Sequence, residues 1–123
     1  MIDKLPRRER EVFEILCRLG AASTADVREH LSDELSDSAV RTLLSRLETR
    51  GVVRREGEAP PFMYATTQRP AEVRASALKQ IVDNLFDGSG VSAATALLGQ
   101  SKRLTDEEAK ILQAAIEAAR KRK

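Results

Sequence analysis

Four hydroxyl side chains, Ser38, Thr42, Ser45 and Thr49, recur at spacings of four and three residues, with Arg41 and Arg46 beside them. On a helix turning about 100° per residue they share one face, flanked by the two arginines. The chemistry open to such a face is hydrogen bonding to a polyanion. Small hydroxyls let a helix come close to a phosphate or a base edge, and arginine forks supply bidentate contacts. The opposite side carries Val40, Leu43, Leu44 and Leu47 at i, i+3, i+4 and i+7, the stripe of a helix seated on a core. Ser36 or Asp37 can cap its start, and Gly51 suits the left-handed position past its end. By itself the pattern also fits a solvated amphipathic helix, so the surrounding elements must decide.

The 123 residues suffice for one compact domain or two small units. Hydrophobic residues make up 41% and charged residues 33%, a globular composition. Aromatics are only 3%, so the core must be built from Leu, Val, Ile and Ala, which points to helices. No apolar run reaches the roughly 18 residues of a membrane span. The opening MIDKLPRRERE has no apolar stretch of the kind a secretory signal uses, and Cys17 has no second cysteine to pair with. The expectation is a reducing, cytoplasmic location. The net charge of +2 announces no partner, but its distribution does: Ser36 to Arg55 holds five arginines against Asp37 and Glu48, a local +3.

The elements that must position this face read as follows. Leu5 to Leu19 is a helix with Val12, Ile15, Leu16 and Leu19 inward, Pro6 in its first turn and Gly20 at its end. Ser23 with Asp26 three residues on opens a short helix bearing Val27 and Leu31. That helix and the Ser36 helix form a helix-turn-helix. After Gly51, residues 52–55 and 62–66 read as two short strands around the turn-rich Glu56–Pro61. A hairpin directly after the second helix is the layout of a winged helix. Its tip carries Glu56 and Glu58, which phosphates repel, so Arg54 and Arg55 at its base are expected to make the hairpin's phosphate contacts.

Pro70 is taken as a boundary between a DNA-binding domain, 1–69, and a helical domain, 70–123. The second holds three helical stretches, the last opened by Thr105 and Glu108 in a capping-box spacing. Some 50 residues bury their own apolar faces poorly. A second copy of the chain supplies the missing cover, through Val73, Ala77, Ile81, Leu85, Leu97, Leu98, Ile111, Leu112 and Ile116. The expected fold is mainly α: a winged helix-turn-helix domain followed by an α-helical dimerisation region.

The chain resembles the penicillinase-repressor family, the BlaI/MecI type, over nearly its whole length. The resemblance rests on Leu5-Pro6 through Arg18-Leu19, on Ala39 to Leu47 with Gly51 and Val52, on Phe62-Met63-Tyr64, and on Leu104 to Glu108. It implies a cytoplasmic homodimeric repressor on palindromic operator DNA, controlling β-lactam resistance or related genes and its own operon. Residue by residue it carries DNA contact to Arg41, Thr42 and Arg46; the DNA-binding set expected overall is Ser36, Ser38, Ala39, Arg41, Thr42, Ser45, Arg46, Arg54 and Arg55. Relatives often have Lys and Thr where Ser38 and Ala39 stand, which implies a different operator. The staphylococcal members are cleaved at an Asn-Phe bond, and a membrane sensor protease is the partner this implies. The matching position here is Leu97-Leu98, which leaves cleavage with another preference, or no proteolytic induction, as alternatives. The C-terminal cysteine cluster of the copper-responsive members is absent.

The residues bear on two other function classes. A winged helix can be a protein-interaction module without DNA binding, and the acidic hairpin tip leans that way. An enzyme would want a nucleophile beside a base, paired carboxylates or a metal cluster. Cys17 and His30 lie on separate helical segments without recognisable partners, so no catalytic residue, cofactor or metal is expected.

Overall fold

A computed structural model describes residues 4–122. Six helices and three short strands follow one another as α1 (Arg7–Leu19), β1 (Ala21–Ala22), α2 (Thr24–His30), α3 (Asp37–Thr49), β2 (Val53–Glu56), β3 (Met63–Thr66), α4 (Pro70–Leu85), α5 (Gly90–Gln100) and α6 (Asp106–Arg120). The chain forms two compact units, one up to Ile81 and one from Val82 onward. The division thus falls inside α4, and Pro70 marks the start of that helix.

Local chemistry explains most helix ends. Pro6 takes the N-cap of α1 at an extended ψ of 154°, one step outside the first turn expected for it. Ser23 and Asp26 form a reciprocal capping box on α2, as Thr105 and Glu108 do on α6. Both acids accept backbone N–H bonds from the capping residue, which holds their carboxyls below the usual range. Ser36 caps α3, its Oγ accepting the Ala39 N–H at 3.1 Å. Past α3, Gly51 adopts φ 79°, a conformation that side chains with a Cβ rarely take.

In the first unit α1, α2 and α3 pack around one core. Val12, Phe13, Ile15 and Leu16 of α1 meet Val27 of α2 and Val40, Leu43, Leu44 and Leu47 of α3. Burying each such aliphatic side chain contributes about 1.5–3 kcal/mol relative to exposure. The hairpin closes the core from the other side through Val53 and Tyr64. It is the outer part of a three-stranded antiparallel sheet in the order β1-β3-β2. The register pairs Ala21 with Ala65 and Arg55 with Tyr64. Strand β1 is absent from the sequence reading, since two alanines carry no strand signal of their own.

Val73, expected on a dimer face, is 5% exposed within the single chain and belongs to the core of the first unit. The first turn of α4 lies against α1, where Val73 shares a groove wall with Cys17. The thiol of Cys17 is itself buried, and that burial pushes its pKa up and disfavours the thiolate.

The second unit buries little. Among its described side chains only Ala93 is buried, while Leu85, Val91, Leu97, Leu98, Ile111 and Ile116 are exposed. Of the α6 residues expected at a dimer face, Ile111 and Ile116 are therefore solvent-facing within the single chain and Leu112 is half-buried.

Candidate nucleic-acid interface

Helix α3 buries one side and presents the other, as its periodicity requires. Ser38, Arg41, Thr42, Ser45, Arg46 and Thr49 are all exposed. Ala39 is half-buried, and its N–H is committed to the Ser36 cap. Two of the hydroxyls are back-bonded within the helix. Thr42 Oγ1 donates to Ser38 O at 3.0 Å, and Thr49 Oγ1 donates to Ser45 O at 3.0 Å. Each threonine thereby presents oxygen lone pairs outward instead of a free donor. Among the described residues no ion pair or hydrogen bond engages the Arg46 guanidinium.

Beside this face runs a groove of about 740 Å³. The start of α2 (Ser23, Thr24, Ala25), the outer face of α3 (Asp37, Arg41, Ser45, Glu48) and the hairpin (Arg55, Phe62, Tyr64) line it. It is where a backbone strand can lie while α3 enters the adjoining groove of a duplex.

The two hairpin arginines part company here. Side chains of successive strand residues point to opposite faces. Arg55 lines the groove, its guanidinium 4.2 Å from the centroid of the Phe62 ring. Arg54 points to the opposite face and is engaged locally: Nε and Nη2 lie 3.0 and 2.9 Å from Glu56 Oε1, and Nη1 donates to Thr66 O at 2.9 Å. Glu56, read from sequence as a repulsive tip charge, is thus the neutralising partner of Arg54.

Ionic contacts hold α3 at both ends. At its C-terminal end Arg50 Nε donates to Glu9 Oε1 of α1 at 2.8 Å, and Glu9 is 3% exposed. That charge, counted in the local +3, is paired with a buried carboxylate while the Arg50 side chain itself stays 45% exposed. Before its start, the Ser32 N–H donates to Glu11 Oε2 at 2.9 Å, and Arg8 pairs with Asp33 at 3.1 Å. Hydrogen bonding from Ser32, side chain and backbone, with Arg7 and Arg8 nearby, holds the Glu11 carboxyl below its ordinary range. Arg28 of α2 bonds Leu35 O at 2.7 Å and Asp37 Oδ1 at 3.0 Å. None of these partners is adjacent in sequence, so spacing alone could not find them. His30 sits exposed at the end of α2, with Nδ1 2.9 Å from Asp26 O.

The family model for the penicillinase repressor matches residues 5–118. The chain belongs to the penicillinase repressor family. Membership makes it a DNA-binding transcriptional regulator. Solved structures carry the same fold at low identity. A MarR-like transcriptional regulator from Thermotoga maritima aligns with TM-score 0.55 and 20% identity over 99% of this chain and 81% of its own. A mutant MarR from E. coli complexed with operator DNA aligns at 0.53 and 17%, over 94% and 76%. BpsR from Bordetella bronchiseptica, whose DNA binding is regulated by 6-hydroxynicotinic acid, aligns at 0.51 and 18%, over 95% and 76%. Curated protein sequences contain no match to this chain. No helix among the described residues of this repressor-family chain is long and apolar enough to cross a membrane.

Proposed function

We propose that the protein is a cytoplasmic homodimeric repressor that occupies palindromic operators, its own operon and β-lactam resistance or related genes among them. The observation that carries this is the outer face of α3: Ser38, Arg41, Thr42, Ser45 and Arg46 stand exposed on a helix fastened at both ends to α1 and α2. The N-terminal unit supplies DNA contact, and the apolar surface of the remainder joins two copies. Of the hairpin residues, Arg55 touches phosphate and Arg54 braces the wing. The position matching the family's cleavage site is Leu97-Leu98, both exposed near the end of α5, where cleavage with another sequence preference and the absence of proteolytic induction are the two alternatives. A membrane sensor protease is the partner that would make that cut, after the last turn of α5 opens.

The test is a gel shift on the DNA upstream of the protein's own gene. Binding should fall steeply with salt, because each phosphate contact releases counterions and contributes about −0.9 to the slope of log affinity against log salt. Absence of any shift at low salt overturns the reading in favour of a protein-interaction module.

The wing assignment has its own check. Arg55→Ala should shed one phosphate contact and flatten the salt slope by about 0.9. Arg54→Ala should leave that slope unchanged. Anisotropy titrations at several salt concentrations distinguish the two, and equal slopes for both variants count against the division of roles.

A further inference from the structure

Asp37 is out of place on a face that meets phosphates. It lies in the first turn of α3 and lines the groove together with Arg41, Ser45 and Arg55. An acid in the first turn favours the helix dipole, but its contacts go further. Asp37 Oδ1 accepts from Arg28 Nη1 at 3.0 Å, and Arg28 is itself anchored on Leu35 O at 2.7 Å. Asp37 Oδ2 lies 3.8 Å from Arg41 Nη2. That distance is an ion pair and too long for a hydrogen bond, so it biases Arg41 without consuming its donors. A chain of contacts thus runs from the anchored Arg28 through a fixed carboxylate to the exposed arginine of the reading face. Arg46, further along the helix, has no such neighbour among the described residues.

The geometry points to Asp37 as the specificity-determining residue of the interface, holding Arg41 to read a base edge instead of the backbone. The inference rests on the DNA-binding function proposed above. Its physical basis is twofold. The carboxylate offsets the pull of Arg41 on any phosphate, which lowers sequence-independent affinity. It also narrows the reach of the guanidinium toward a site offering two acceptors in line, as guanine O6 and N7 do in the major groove. Arg41 stands in the N-terminal half of α3, the part of a recognition helix that contacts base edges. Arg46 is then the phosphate-binding arginine of the helix.

The test compares wild type, Asp37→Asn, Arg41→Ala and the double variant by fluorescence anisotropy on two duplexes. One duplex is selected by the wild type from a randomised pool; the other is a shuffled sequence of the same composition. Asp37→Asn should bind the shuffled duplex several-fold more tightly, with a salt slope steeper by about 0.9 as Arg41 gains a phosphate. The ratio of selected to shuffled affinity should fall about tenfold, the worth of one bidentate base contact. In the Arg41→Ala background the same change should leave that ratio within about twofold, because the pair acts as a unit. A role confined to helix stability would shift both duplexes equally, and that result overturns the inference alone. A wild type that selects no sequence from the pool overturns the proposed function along with it.

Discussion

Replacing Leu85 by glutamate is expected to turn the protein into a monomer and to weaken operator binding by a factor on the order of 100 or more. Leu85 is 76% exposed in the single chain, so the substitution costs the fold of that chain little. Its company gives it a purpose: Val91 is 79% exposed and Ile111 is 69% exposed. Apolar side chains exposed in such number mark an interaction surface, and in the dimer proposed above a second copy of the chain would cover them symmetrically. An ionised carboxylate within that cover would be desolvated without a partner. Two half-sites bound by a dimer gain from effective concentration, an advantage of about 100-fold to 10,000-fold that a monomer forfeits. Light scattering should report a mass of 13.6 kDa for the variant, against twice that for the wild type. A variant that remains dimeric and keeps its operator affinity would place the interface elsewhere.

Leu44→Ala is expected to destabilise the first unit by about 2–5 kcal/mol. Leu44 is fully buried in the core cluster that also holds Ile15 and Leu16 of α1 and its own helix neighbours Val40 and Leu47. Truncation removes the transfer energy of the lost carbons and leaves a cavity that close-packed helices fill only in part. Against a total of about 5–15 kcal/mol for a small domain, that is a large fraction. Urea unfolding should show a lower midpoint at an unchanged m-value. A loss below about 1 kcal/mol would mean that α3 is not seated on α1 as described. The same helix carries the DNA face, so the variant should also lose operator affinity in proportion to its unfolded fraction.

Much of this was legible in the residues. The stripe of Val40, Leu43, Leu44 and Leu47 sets which side of α3 is buried and therefore which side is exposed. Ser23 with Asp26 and Thr105 with Glu108 set two helix starts, because a cap acts within one turn. The hairpin after Gly51 appears where the change of period placed it. The exposed α3 residues fall on the face expected for DNA contact, and the family match agrees with the resemblance read from Ala39 to Leu47.

What the sequence by itself determined is local: helix periodicity, caps, turns and hence which face of α3 stays exposed. These depend on residues within about four positions of one another. Tertiary structure decided the rest. Ala21 and Ala22 become a strand only because β3 offers an edge at Tyr64 and Ala65. Val73 becomes core because α4 starts against α1. Glu9 pairs with Arg50 from across 41 positions, neutralising one of the arginines that follow α3. Arg54 is spent on Glu56 and Thr66 while Arg55 stays open to the groove, and Arg28 reaches Asp37 to bias Arg41. An arginine's charge is evident in any sequence. Whether that charge is available to DNA depends on the carboxylate the fold sets beside it.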